Sequence, residues 1–179
     1  MTGESNRRRG FYQGAMYYGT ILGAMWSVMY ILMFIGVSNP LLLLGCMGLF
    51  VGSPIFAAML ARKYRREECC DMMKYMQAWG FIYCMYICAS LLSALVIYLY
   101  LNYVDNGMFF AAIQEMLKIS LELPGVDDVF RQQINETSKM IADTTASDFV
   151  WQIMSNNILN ASVLPFIIAI FVRRNNNIQ

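Results

Sequence analysis

Four long apolar runs, separated by polar intervals of unequal character, set out the plan of this chain. The first, residues 15–37, holds no charged residue and is long enough to cross about 30 Å of hydrocarbon at roughly 1.5 Å per residue. Ser38-Asn39-Pro40 predicts a tight turn, so the second run, 41–61, should fold back as the other arm of an antiparallel hairpin. The third run, 78–104, opens with Trp79 and Tyr83 and closes with Tyr98, Tyr100 and Tyr103, the two aromatic ends of an interface-anchored helix. The fourth, 149–172, is followed by a polar tail over 173–179.

The intervals differ in kind. Residues 62–77 carry Arg62, Lys63, Arg65 and Arg66, then Glu67, Glu68, Asp71 and Lys74. That pattern predicts a solvated amphipathic helix with local ion pairs, a stop-transfer anchor at anionic headgroups, or a docking site for a partner. Residues 105–148 hold eight acidic against three basic residues, a net charge of −5. Asp105 or Asn106 should cap a helix through Leu123 with Phe109, Ile113, Met116 and Leu117 on one side. After the Pro124-Gly125 break, Asp127 or Asp128 should start a second helix to about Ala142, with Val126, Phe130, Ile134 and Ile141 near one face. Both are too short to cross, so they read as amphipathic helices on the bilayer or bundle end, or as a lid over a substrate path.

Within the spans, small and polar residues mark faces. Gly19 and Gly23 in the first span, and Gly45, Gly48 and Gly52 in the second, predict strips for close helix packing. Pro54 and Pro165 should kink their helices. Phe11, Tyr12, Tyr17 and Tyr18 are expected at the headgroups. Gln152, Asn156 and Asn160 share a helix face, at i, i+4 and i+8. They predict polar contacts to neighbouring helices, for instance through Ser90 and Ser93. The alternatives are a hydrated cavity or ligand pocket, or an interface to another subunit.

Composition reinforces a membrane reading. Of 179 residues 58% are hydrophobic and 14% charged, with a mean hydropathy of +0.46, more apolar surface than a soluble domain of this size can hide. A net charge of +1 makes nucleic acid an unexpected partner. Histidine is absent, which removes imidazole ligation, acid–base catalysis and pH sensing. The five cysteines show neither metal-ligand spacing nor an even disulfide set. No Asp, Glu, Lys or Arg lies inside the four spans, which argues against a proton-driven pump. No phosphate-binding loop or hydrolase motif is present. No cofactor and no catalytic residue are expected.

Charge orients the spans. Basic residues gather at 7–9, 62–74 and 173–174, and the positive-inside rule places all three on the cytoplasmic side. The expected layout has a retained basic leader over 1–14, three spans with a cytoplasmic loop over 15–104, an extracytoplasmic insert over 105–148, a fourth span and a cytoplasmic tail. Both termini then lie in the cytoplasm.

The junction at 62–80 also carries a likeness. Lys63-Tyr64-Arg65, Tyr75-Met-Gln77-Ala78-Trp79-Gly80, Ser90-Leu-Leu-Ser93-Ala94 and Tyr103-Val104-Asp105 together resemble the bacterial membrane family catalogued as domain of unknown function 4199. The likeness covers nearly the whole chain through short motifs. Two features stand apart from that pattern: the richness in Met and Cys, and the Asn-rich fourth span. The resemblance implies an integral inner-membrane protein of Gram-negative bacteria with no assigned activity, and transfers no catalytic residue.

The sequence thus predicts an all-α, four-helix integral membrane bundle with an extracytoplasmic amphipathic helical insert between spans three and four. The first functional expectation is a non-enzymatic accessory subunit that contacts membrane lipids and packs against itself or another membrane protein. The second is a small transporter or lipid-binding protein with a pocket on the fourth helix. A membrane-embedded enzyme is disfavoured by the missing histidine and missing intramembrane charges.

Overall fold

The computed structural model describes residues 10–37, 39–122 and 127–173. Among these residues it contains six helices and no strand: α1 (Phe11–Gly36), α2 (Pro40–Glu68), α3 (Tyr75–Tyr103), α4 (Met108–Glu122), α5 (Asp128–Asp143) and α6 (Ala146–Val172). Helices α1, α2, α3 and α6 are long and apolar enough to cross a membrane. The chain is an all-α, multi-pass membrane protein. The arginines at 7–9, Ser38, Leu123, the Pro124-Gly125 break, Val126 and Arg174 lie outside the described residues.

Close approach of backbones decides which helices meet. A Cβ placed on Gly19 would lie 2.7 Å from Cys88 Cβ, and one on Gly23 would lie 3.0 Å from the Ala89 backbone. The small-residue strip on α1 therefore seats directly on α3, and these two helices form the most extensive pair in the bundle. α6 covers another side of α3. α2 touches α1 and α6 and stands diagonally opposite α3, so the order around the bundle is α1, α3, α6, α2. The strip expected on α2 behaves differently. Gly45, Gly48 and Gly52 have no neighbour within 4 Å and face outward. The expectation that Gly48 and Gly52 pack closely fails within the chain, because α2 turns its other side to the core through Ala57, Leu60, Ala61 and Tyr64.

The basic end is tied together by side chains of α1, α2 and the turn after α2, and by backbone carbonyls of α6. α2 does not stop at Ala61; it continues to Glu68, and a reversal over 69–74 leads into α3. Cys70 and Asp71 adopt positive φ there (52° and 59°), a region in which aspartate is comparatively tolerated. The interval 62–77 is thus two helix ends and a turn, not a separate amphipathic helix. Arg65 is buried and reaches Asp71 across the turn, Nε to Oδ1 at 2.9 Å. Its Nη1 donates to the Val172 carbonyl. Arg62 donates to the Phe171 carbonyl at 3.2–3.3 Å. The last carbonyls of α6, which have no intrahelical partner, are satisfied by arginines. Tyr18, expected at the headgroups, is instead buried, its hydroxyl donating to Glu67 Oε2 at 2.8 Å. Tyr12 and Tyr17 remain on the outside.

The opposite end holds a second apolar cluster, with Phe34, Ile97, Leu101, Phe109 and Val150 buried together. Asp105 fastens α4 to it: the buried carboxylate accepts from Phe109 N at 2.9 Å, which caps the helix and aims Phe109 at Phe34, ring centroids 4.7 Å apart. Asn106 and Gly107 make the turn before it at φ 49° and 85°. α5 packs on α4 and leaves most of its surface exposed, Ile134 being its buried residue. Thr145 starts α6 with a reciprocal cap, Asp148 N donating to Thr145 Oγ1 at 3.2 Å and Thr145 N to Asp148 Oδ2 at 3.3 Å.

Candidate functional site

Midway along all four spans the bundle is not filled. Trp26 and Tyr30 on α1, Ser53 and Pro54 on α2, Tyr86 on α3 and Asn157 on α6 surround a cavity of ≈ 360 Å³. Met29, Phe50, Val51, Asn160 and Leu164 complete its wall. No carboxylate, ammonium or guanidinium group lines it among the described residues. α2 meets α3 at the basic end, where Tyr64 stacks on Phe81 with ring centroids 4.0 Å apart; at the cavity α2 presents the small Ser53 and Pro54.

Its polar groups are partly paired. Trp26 Nε1 donates to Ser53 Oγ at 2.7 Å, tying α1 to α2. Tyr30 OH donates to Asn157 Oδ1 at 3.2 Å, tying α1 to α6. Trp26 meets Tyr86 edge-on, with ring centroids 5.3 Å apart. Two polar atoms are left over. Tyr86 OH and Asn157 Nδ2 are buried without a hydrogen-bond partner. Tyr86 is 1% exposed and Asn157 9%. An unmade buried hydrogen bond costs about 1–3 kcal/mol, so two lining one cavity form an unusual arrangement.

The residues expected to carry polar chemistry are distributed differently. Gln152 and Asn156 are exposed and line an open groove with Phe149, Ile153, Ser155 and Leu159 on the outside of α6. Asn160, also exposed, sits at the cavity wall. Ser90 and Ser93 are buried, yet they donate within α3, to the carbonyls of Ile87 at 2.9 Å and Ser90 at 3.0 Å. Neither reaches the α6 face, so a polar contact between Ser90 or Ser93 and Gln152, Asn156 or Asn160 is not formed. The buried amide belongs to Asn157. A one-residue step on a helix turns about 100°, which separates Asn157 from the 152/156/160 face. It lies on the inward face of α6, where Val150, Asn157, Ala161, Ile168 and Val172, at spacings of seven and four, are among the buried positions.

Two grooves outside the cavity run along α2. One joins Phe56, Met59 and Leu60 to Arg62, Lys63, Arg66 and Glu67. Of the four basic residues expected at the headgroups, Arg62, Lys63 and Arg66 are exposed there, and Arg65 is withdrawn into the protein. The other groove, with Ile55, Ala58, Ile167 and Phe171, shares Met59 and Arg62 with the first.

No match is found among curated proteins or among solved structures. A protein-family pattern described as protein of unknown function (DUF4199) matches residues 17–174. That span takes in α1 from Tyr17 onward, the other three membrane-length helices and the α4–α5 insert, and the chain belongs to the DUF4199 family.

Proposed function

We propose that this protein is a non-enzymatic intramembrane receptor or carrier for a small molecule, held in the cavity between the four spans. One observation carries the reading: two buried polar atoms, Tyr86 OH and Asn157 Nδ2, lack partners in a cavity large enough for a ligand fragment. Most packed interiors fill such a space with apolar side chains or pair its polar atoms; the indole Nε1 of Trp79, buried and unpaired too, does not line this cavity. The experiment is purification in mild detergent with mass analysis of extracted small molecules. A stoichiometric compound in the wild-type that is lost on Tyr86→Phe supports the reading. Equal recovery from both proteins overturns it.

A second reading, an accessory subunit that pairs with itself or another membrane protein, is favoured by the outward glycines of α2, where Gly45, Gly48 and Gly52 meet no neighbour. Cross-linking in membranes through a single cysteine at Gly48 tests it; the absence of any adduct counts against it. In either role we place the protein in a bacterial inner membrane with both ends of the bundle chain in the cytoplasm. Arg62, Lys63, Arg66 and Arg173 support that orientation, because they share one end of the bundle and the acidic insert occupies the other. A reporter fused after residue 173 that is active only outside the cytoplasm would reverse it.

A further inference from the structure

We infer that the ligand of the midplane cavity is a neutral, lipid-soluble molecule with a carbonyl oxygen at its head, entering sideways from the bilayer between α2 and α6. The inference rests on the binding role proposed above and adds the chemistry and the route.

Charge excludes ions first. The cavity wall offers amide, hydroxyl and indole groups but no carboxylate, ammonium or guanidinium among the described residues. A charged ligand would shed its water without a counter-charge in return, and a neutral one avoids that cost. Hydrogen-bond bookkeeping then selects an acceptor. Asn157 Oδ1 already accepts from Tyr30, and Trp26 Nε1 already donates to Ser53. Of the buried groups, that leaves Asn157 Nδ2, which can only donate, and Tyr86 OH, which can donate its proton; the amide of Asn160 lies at the exposed edge of the wall. A carbonyl oxygen, with two lone pairs and no proton of its own to place, suits such donors. Around these donors the wall is aromatic, with Trp26, Tyr30, Phe50 and Tyr86, and suits a flat or thin apolar head.

Exposure gives the route. Phe50 and Val51 line the cavity and are 64% and 70% exposed on the outer surface of α2; Asn160 is exposed on the facing side of α6. At midspan that surface is where acyl chains lie. A tail can therefore stay in the lipid while the head enters, which a cavity of ≈ 360 Å³ requires.

Two natural sources share this chemistry: the ring ketone of a quinone and the ester carbonyl of a neutral glycerolipid. The test uses the full chain in phosphatidylcholine nanodiscs with Trp79→Phe and Trp151→Phe, leaving Trp26 as the fluorophore. Decylubiquinone and dioleoylglycerol are titrated separately and against each other. Saturable quenching by decylubiquinone, weakened about ten-fold by Tyr86→Phe, supports the inference with a quinone as source. Dioleoylglycerol that reverses the quenching, with the same sensitivity to Tyr86→Phe, supports it with an acyl ester as source. Gln152→Leu, on the outer groove, should change neither titration. Saturable binding that is unaffected by both Tyr86→Phe and the double variant Tyr30→Phe/Asn157→Leu overturns the assigned contacts. A charged compound that co-purifies and is lost on Tyr86→Phe overturns this inference and leaves the binding role standing. No co-purifying compound together with no saturable response overturns both.

Discussion

Arg65 and Asp71 face each other across the only turn between α2 and α3, Nε to Oδ1 at 2.9 Å, with the arginine side chain 9% exposed and the aspartate 35%. The pair closes the turn, and the same guanidinium caps the end of α6 at Val172. One side chain of α2 thus links that helix to the turn that leads into α3 and to the end of α6.

Removing that guanidinium should loosen all three. Arg65→Met keeps much of the side-chain volume but strips the charge-assisted bonds, and a loss of about 2 kcal/mol is expected. Lys63→Met, whose nearest carboxylate is Glu67 at 3.9 Å on an exposed helix face, should cost less than about 0.5 kcal/mol. Thermal unfolding of both variants in detergent provides the comparison; equal losses would contradict the assigned role of Arg65.

Glycines that look alike in sequence should respond oppositely. Gly19→Val and Gly23→Val drive a side chain into Cys88 and the Ala89 backbone, and overpacking of this kind costs about 1–3 kcal/mol or blocks assembly. Gly48→Val and Gly52→Val enter open space and should raise helix stability slightly. Yield and midpoint of unfolding in detergent check the contrast.

The asparagines of α6 should also separate. Asn156→Leu with Asn160→Leu changes exposed positions and should leave the unfolding midpoint nearly unchanged. Asn157→Leu strands the Tyr30 hydroxyl, and Tyr30→Phe in the same chain should recover the loss. A double-mutant cycle with a coupling of about 0.5–1.5 kcal/mol is expected between positions 30 and 157.

At the turn, Cys69 should be a slow thiol. Partial burial pushes its thiol up, the hydrogen bond with Tyr64 opposes this in part, and the charge of Glu68 adds to the rise. A raised value leaves less thiolate at neutral pH, so its labelling rate should still be climbing at pH values where an ordinary thiol has levelled off. Maleimide labelling of a variant with Cys69 as its sole cysteine, followed from pH 7 to 10 (about the range of thiol ionisation), measures this. A plateau near the ordinary thiol value would contradict it.

Asp105→Ala should release the insert. The carboxylate caps α4 through Phe109 N, and loss of such a cap costs about 1 kcal/mol. Hydrogen exchange should quicken in α4 and α5 and stay unchanged around Ala89 in α3.

The four spans, their antiparallel order and the capped start of α4 follow from the chain itself, because a run of apolar residues long enough to cross hydrocarbon has few alternatives to a helix. Asp105 and Asp127 were legible as helix starts for a local reason: a short acidic side chain reaches an amide within its own turn. Which face of each helix turns inward was decided elsewhere. Gly23 and Gly48 carry the same local signal, yet one meets Ala89 and the other meets nothing, since α1 chose α3 as its partner and α2 stood aside. Along α6 a shift of one residue moved the interior amide from Asn156 to Asn157. The cavity is furthest from the sequence: Trp26, Ser53, Tyr86 and Asn157 come from four helices, and their convergence depends on the order in which those helices pack. Length and hydropathy act within a segment and can be read there; a cavity is a relation among segments, and only the packed bundle creates it.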